Sequence, residues 1–274
     1  VLFDLGSFDI NSSDDSIHSN GELVINGGEI KISSGDDGVH ADTSLVINAG
    51  NINISKSYEG IEGEKITLND GNINVVASDD GINAAGGNDS SSLNGRPGQN
   101  GFGSNSSGEI KINGGTIKVD AKGDGIDSNG SIYITGGEVI VNGPTNNGNG
   151  SLDYDRNFDI SGGTLIAVGS LGMAQGPSDS STQKSVSIGV NNQQGNVEFK
   201  ILSSSGEEIV KYTPTKQYSS IIVSSSKFKD GESYDLYIGN SKVQNFTISG
   251  SVTNVGSSNG GNMGMPGGGK GNRR

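Results

Sequence analysis

The chain has 274 residues, with 47 Gly, 5 Pro, 2 His, no Cys and no Trp, and a formal net charge of −13. No disulfide framework or thiolate metal site is possible, and no apolar run is long enough to span a membrane. Residues 1–190 carry 25 Asp and Glu against 9 Lys and Arg, and residues 191–274 carry 6 against 9, so the longer part is a poor partner for nucleic acid, which is held by basic patches.

No signal segment is present, so Val1 reads as the start of a trimmed, mature domain of an exported bacterial protein, secreted or on the cell surface. The first recurring element is Asp14-Asp15-Ser16-Ile17-His18. It returns as Asp36-Asp37-Gly38-Val39-His40, Tyr58-Glu59-Gly60-Ile61-Glu62, Asp79-Asp80-Gly81-Ile82-Asn83 and Gly123-Asp124-Gly125-Ile126-Asp127, at spacings of 22, 22, 21 and 44 residues. A period near 22 marks a solenoid. Between these copies lie pairs of short alternating stretches such as Leu23-Val24-Ile25 and Ile30-Lys31-Ile32, joined by Asn26-Gly27-Gly28. Alternation gives strands with one face buried, and the Asn-Gly-Gly corner supplies residues that tolerate positive φ.

Three strands and three bends per coil of about 22 residues predict an all-β fold, a right-handed parallel β-helix rising roughly 4.8 Å per coil. Superimposed coils give three aliphatic columns: Ile17, Val39, Ile61, Ile82, Ile126, Leu152; Ile25, Ile47, Leu68, Ile112, Ile134, Ile160; and Ile30, Ile52, Ile73, Ile117, Val139, Leu165. The helix is expected over 1–190, with a long Gly-, Asn- and Ser-rich insertion at 86–108 that leaves beside the acidic columns. Strands near Val197–Ile201, Ile209–Lys211, Ser220–Ile222, Tyr234–Ile238 and Phe246–Ile248 predict a small antiparallel module over 191–250, capping the exposed terminal coil. Residues 251–274 read as a flexible, Gly-rich basic tail.

The same superposition stacks acids. One column holds Asp15, Asp37, Glu59, Asp80 and Asp124; a second holds His18, His40, Glu62, Asn83, Asp127 and Asp153; a third holds Asn20, Asp42, Glu64 and Asn129. Like charges roughly 5 Å apart repel by about a kcal/mol in water and by more when sheltered. Hard oxygen ligands in clusters suit Ca²⁺, and sparse His with no thiolate disfavours Zn²⁺. The alternative is that Asp and Asn only form Asx-turns at the bends. His18 and His40 stack on each other, with a polar surface pair as the expected arrangement. The metal candidates are Asp36, Asp37, Asp42, Glu59, Glu62, Glu64, Asp79, Asp80, Asn83, Asp124, Asp127 and Asp153.

The series Asp36-Asp37-Gly38-Val39-His40-Ala41-Asp42, Leu45-Val46-Ile47-Asn48 and Tyr58-Glu59-Gly60-Ile61-Glu62-Gly63 resembles a family of clostridial carbohydrate-binding β-helix proteins, which are similar to pectate-lyase-type polysaccharide lyases. The resemblance covers residues 14 to about 250 and includes Gly172-Met173-Ala174-Gln175-Gly176-Pro177-Ser178. It implies binding of cellulose and acidic sugars, with Ca²⁺ in the helix. Ser16 and Asn149-Gly150-Ser151-Leu152 depart from the pattern, so the resemblance carries Ca²⁺ ligation to the acidic positions of the middle coils.

Three functions remain open on the sequence. In the first, a non-catalytic, monomeric protein binds plant cell-wall polysaccharide, its Ca²⁺ ions bridging to the carboxylates of a polygalacturonate chain. Tyr58, Lys122, Tyr154 and Arg156 are the candidate sugar contacts; Phe102 and Tyr133 are further aromatic platforms. In the second, a Ca²⁺-dependent lyase uses Lys56, Lys122 or Arg156 as the base that removes the proton α to a uronate carboxylate. In the third, Ca²⁺ only stiffens a surface scaffold or adhesin segment.

Overall fold

The computed structural model describes residues 1–84 and 107–256. The expected insertion 86–108, apart from Ser107 and Gly108, lies outside the described residues, as do Phe102 and the tail from 257 onward. Every described element is a strand. Among the described residues, no helix is long and apolar enough to cross a membrane.

Three faces of parallel strands form a β-solenoid. On the first face, Ile17–Ser19, the start of Val39–Ile47, the start of Ile61–Leu68, Ile82–Ala84, Ile126–Ser128 and Leu152–Tyr154 stack in register. The second face runs from Leu2–Phe3 and Glu22–Ile25 through the ends of the two long strands to Glu109–Ile112, Ser131–Ile134 and Asn157–Ile160. The third stacks Ser7–Asn11, Glu29–Ser33, Asn51–Lys56, Asn72–Ala77, Thr116–Ala121, Glu138–Asn142 and Thr164–Gly169.

All three predicted aliphatic columns are register partners, and their members are buried in one continuous core. Burial on the inner face of every coil against the coils above and below supplies the main stabilisation. The change of period from 22 to 21 has a local cause: Ala41 pairs with Gly63 but Ser44 pairs with Lys65, so one extra residue bulges out of the longer strand.

The Gly of the acidic motif is needed for space. A Cβ on Gly60 would stand 2.2 Å from Val75 Cγ1 and 2.3 Å from the Gly81 carbonyl oxygen. At the other corner the need is conformational, with Gly28, Gly50, Gly71, Gly115, Gly137 and Gly163 all at positive φ. That corner also carries a ladder: Asn26 Nδ2 donates to Asp4 Oδ1, Asn48 to Asn26, Asn69 to Asn48, and Asn113 to Asn69, at 2.7–2.8 Å.

The C-terminal end is covered on all three faces. On the third face, Tyr218–Ser225 pairs antiparallel with Thr164–Gly169, Ser185–Gln193 joins it antiparallel, and Val252–Val255 adds in parallel. The expected boundary at 190/191 thus falls within one strand, and Ser220–Ile222 belongs to the solenoid's own sheet. The segment from Ser178 to Gln183 closes the second face through hydrogen bonds to Phe158 and Ile160. Tyr154 donates to the Gly176 carbonyl beside the last rung of the first face. A separate antiparallel sheet, Glu208–Tyr212, Phe199–Ser203, Ser233–Ile238 and Ser241–Thr247, completes the module. Residues 252–255, expected as the start of the tail, form a paired strand.

Candidate functional site

The acids gather where the third face bends into the first. Backbone hydrogen bonds carry each bend onto the next: Gly38 N–H donates to the Glu59 carbonyl, Gly60 to Asp80, Gly81 to Asp124 and Gly125 to Gly150. This brings the carboxylates of the first column directly over one another. Most then receive the N–H of the next coil: Asp15 from Asp37, Asp37 from Glu59, Asp80 from Asp124, and Asp124 from Gly150, at 2.5–3.1 Å. The acids therefore satisfy backbone donors between coils, where Asx-turns would satisfy them within a bend. The ladder breaks once, at Glu59, whose longer side chain accepts from Asn83 Nδ2 at 2.8 Å instead.

The second column stacks as expected, with register pairs His18–His40, His40–Glu62, Glu62–Asn83, Asn83–Asp127 and Asp127–Asp153. Two clusters result. The first joins Asp15, His18, Asp37, His40 and Glu62. The second joins Asp80, Asp124 and Asp127, with ligand atoms within 4.8 Å of one another.

In the first cluster the imidazole sits amid acids. His40 Nδ1 lies 3.5 Å from Asp15 Oδ2, 3.6 Å from Glu62 Oε2 and 3.8 Å from Asp37 Oδ2, while Nε2 lies 3.4 Å from Asp42 Oδ1. His18 Nδ1 is 2.6 Å from the same Asp15 oxygen. The rings of His18 and His40 meet edge-on at 4.7 Å. The expected surface pair is thus only half correct. His18 is exposed, but His40 is fully buried, because stacked neighbours lie on both sides and carboxylates close its flanks. Burial, then the charge of Glu62, pushes Asp37 up to about 10, and burial with the charges of Glu62, Asp37 and Asp80 raises Glu59 well above the usual range. Burial also acts on Asp15, but hydrogen bonds from His40 and His18 overcome it and hold that carboxyl low.

The second cluster contains oxygen alone. Among the described residues, no Lys, Arg or His forms an ion pair with Asp80, Asp124 or Asp127. Burial comes first in raising all three. The charges of Asp124 and Asp79 bring Asp80 to about 8. The charges of Asp80 and Asp124 bring Asp127 to about 9. Asp124 reaches about 6, moderated by the Gly150 N–H. Asp153 is raised by burial and then by Asp155. Asn83, 2% exposed, lies next to Asp127 in register, and its Oδ1 is buried with no hydrogen-bond partner. A set of carboxylates plus an orphaned amide oxygen fits a hard divalent cation.

The remaining predicted residues are dispersed. Asp36 clusters with Asp14 and Asp15 on the outer side of the bend. Tyr58 stands where the neighbouring coils carry Asp36 and Asp79, and it donates its hydroxyl to Asp79 Oδ2. Asp42 flanks His40, and Glu64 accepts from Ser107. Lys122 is exposed and acts electrostatically on Lys216 of the C-terminal module. Tyr154 spends its hydroxyl on Gly176 and its ring edge on Phe158. Arg156 is exposed beyond the last rung. Asp15, His18 and His40 were outside the metal candidates; their place in the stacked columns was the available signal.

Fold and site together define a parallel β-solenoid with a carboxylate-lined corner. Within that class the chain belongs to the family of carbohydrate-binding domain-containing proteins, whose model matches residues 1–38 and 37–258. No curated protein and no solved structure matches the chain.

Proposed function

We propose that this is an extracellular, non-catalytic protein that binds acidic plant cell-wall polysaccharide at the Asp80–Asp124–Asp127 corner, through Ca²⁺. Membership of a carbohydrate-binding family supports the glycan. The observation that carries the reading is the grouping of the Asp80, Asp124 and Asp127 carboxylates, with Asn83 beside Asp127 in register and, among the described residues, no Lys, Arg or His ion-paired to the three acids. Bound there, Ca²⁺ supplies the positive charge that the corner lacks and open coordination positions for a uronate carboxylate.

The chain's own residues set the geometry. The N–H groups of Asp124 and Gly150 hold Asp80 Oδ1 and Asp124 Oδ1 in place, leaving the second oxygen of each for a ligand. Asp127 and Asp153 extend the acidic row by one rung. The sugar contacts would come from side chains around this rim, among them Tyr58, which donates to Asp79 next to Asp80.

Native electrophoresis through gels containing polygalacturonate, with Ca²⁺ or with chelator, tests the reading. Retardation that requires Ca²⁺, over a matrix that still stains evenly for uronate, is the expected result. Full retardation in excess chelator would exclude cation bridging. A cleared zone would mean that the matrix is cut, and mutagenesis would then turn to Lys122 and Arg156 as bases. Parallel gels with a cellulose derivative read whether neutral glycan is also held.

A further inference from the structure

The outer face of the C-terminal sheet carries a row of side chains that the acidic corner does not use. Register places Lys211 beside Lys200, Lys200 beside Tyr237 and Tyr237 beside Lys242. Phe199, Ile201, Leu236 and Ile238 fill the core beneath, so strand alternation turns Lys200 and Tyr237 outward. The row crosses all four strands of the sheet, roughly 14 Å. Lys200 Nζ stands 5.5 Å from the centre of the Tyr237 ring, within range of a cation–π contact. Lys242 pairs with Asp235 at 2.7 Å, but among the described residues Lys200 and Lys211 form no ion pair. Two like charges directly opposite on neighbouring strands destabilise a sheet. A pair that costs stability, set beside a partly exposed aromatic ring, suits an anionic ligand that also presents an apolar ring face.

We propose that Lys200, Lys211 and Tyr237 form a second carbohydrate subsite, which takes an anionic glycan such as polygalacturonate without a bridging cation. The two ammonium groups meet uronate carboxylates, and the Tyr237 ring stacks on the C–H face of a pyranose. Charge complementarity supports this occupant, since residues 191–274 carry 9 Lys and Arg against 6 Asp and Glu. The class of ligand rests on the glycan reading above, whereas the contact itself is independent of Ca²⁺. The row binds weakly alone and adds to the corner when one polymer engages both.

The chain has 7 Tyr, so NMR of the tyrosine rings, with Tyr237 assigned from Tyr237→Phe, reads the subsite directly. Oligogalacturonate is titrated in chelator at low ionic strength. The Tyr237 signals should shift, return as salt screens the lysines, and stay fixed in the Lys200→Gln/Lys211→Gln variant. On polygalacturonate gels with Ca²⁺, that variant should be held about tenfold more weakly than wild type. Lys65→Gln/Lys118→Gln, which removes two exposed charges from the solenoid, should run close to wild type. Tyr237 signals that stay fixed in the wild-type titration would overturn the subsite whatever the gels show. So would equal retardation of the two double variants on gels that retard wild type. Tyr237 shifts without any Ca²⁺-dependent retardation would instead remove the cation-bridged corner and leave the row. Equal shifts with a single-stranded oligonucleotide would overturn the assignment to glycan, and shifts on raising protein concentration alone would make a second copy's acidic solenoid the occupant.

Discussion

Asp80, Asp124 and Asp127 are held near 8, 6 and 9, whereas an unfolded Asp titrates near 3.9. Between about pH 4 and 9 the folded chain therefore binds more protons at this corner than the unfolded chain does. Stability contributed by these groups is complete below about pH 4 and is lost as the pH rises through their folded values. Asp15, held low by its histidines, works in the opposite sense, but Asp37, Glu59 and Asp153 are raised as well, so it is one group against six. A bound cation would replace those protons. In chelator, the melting temperature is thus expected to be lower at pH 8.5 than at pH 5, and Ca²⁺ should raise it more at pH 8.5. Equal Ca²⁺ shifts at both pH values would contradict a cation site built from these carboxylates. The acidic residues themselves were visible in the sequence as columns. Their division into an imidazole-bearing and an oxygen-only cluster was not, because it depends on Glu59 reaching to Asn83 and breaking the carboxylate ladder between Asp37 and Asp80.

At the scale of the strand and its bend, the opposite corner gives the clearest case. Asn48 donates to Asn26 and accepts from Asn69, both at 2.7 Å. Replacing Asn48 with Ala removes two neutral hydrogen bonds, each with a net value of about 1 kcal/mol. A loss of about 1–2 kcal/mol in denaturant unfolding is expected for Asn48→Ala, whereas Asn53→Ala, on an exposed outward position, should stay within about 0.5 kcal/mol. Matching losses at the two positions would mean that the ladder's hydrogen bonds add nothing beyond what an exposed Asn gains from water. Asn26, Asn48, Asn69 and Asn113 were legible as turn residues. That they also bond to one another along the axis follows only once successive coils are known to stack in register.

For the whole molecule, the last coil decides how the two parts combine. Thr164–Gly169 is buried on both faces: Leu165 and Ala167 point into the solenoid core, while Ile166 and Val168 point into a second core with Val186, Ile188, Phe199 and Tyr218. Tyr218–Ser225 shares both, with Ile222 in the first core and Ile221 and Val223 in the second. Burying an unpaired carboxylate at Ile222 costs several kcal/mol, so Ile222→Asp should lower the melting of solenoid and C-terminal module together, in one calorimetric transition. Two separate transitions, with only one displaced, would show that the cores fold independently. The unbroken apolar run Leu165-Ile166-Ala167-Val168 signals such a strand, yet the strand that pairs beside it lies more than 50 residues further on and has no periodic relation to it. The sequence by itself determined the coil, its three aliphatic columns and the stacking of the acids, because a repeat with one rung per period places like on like whatever surrounds it. Only the tertiary structure decided how the terminal coil is closed, why His40 is buried while His18 is not, and which acids share a cluster. Those outcomes rest on side-chain length and on contacts between segments that do not repeat.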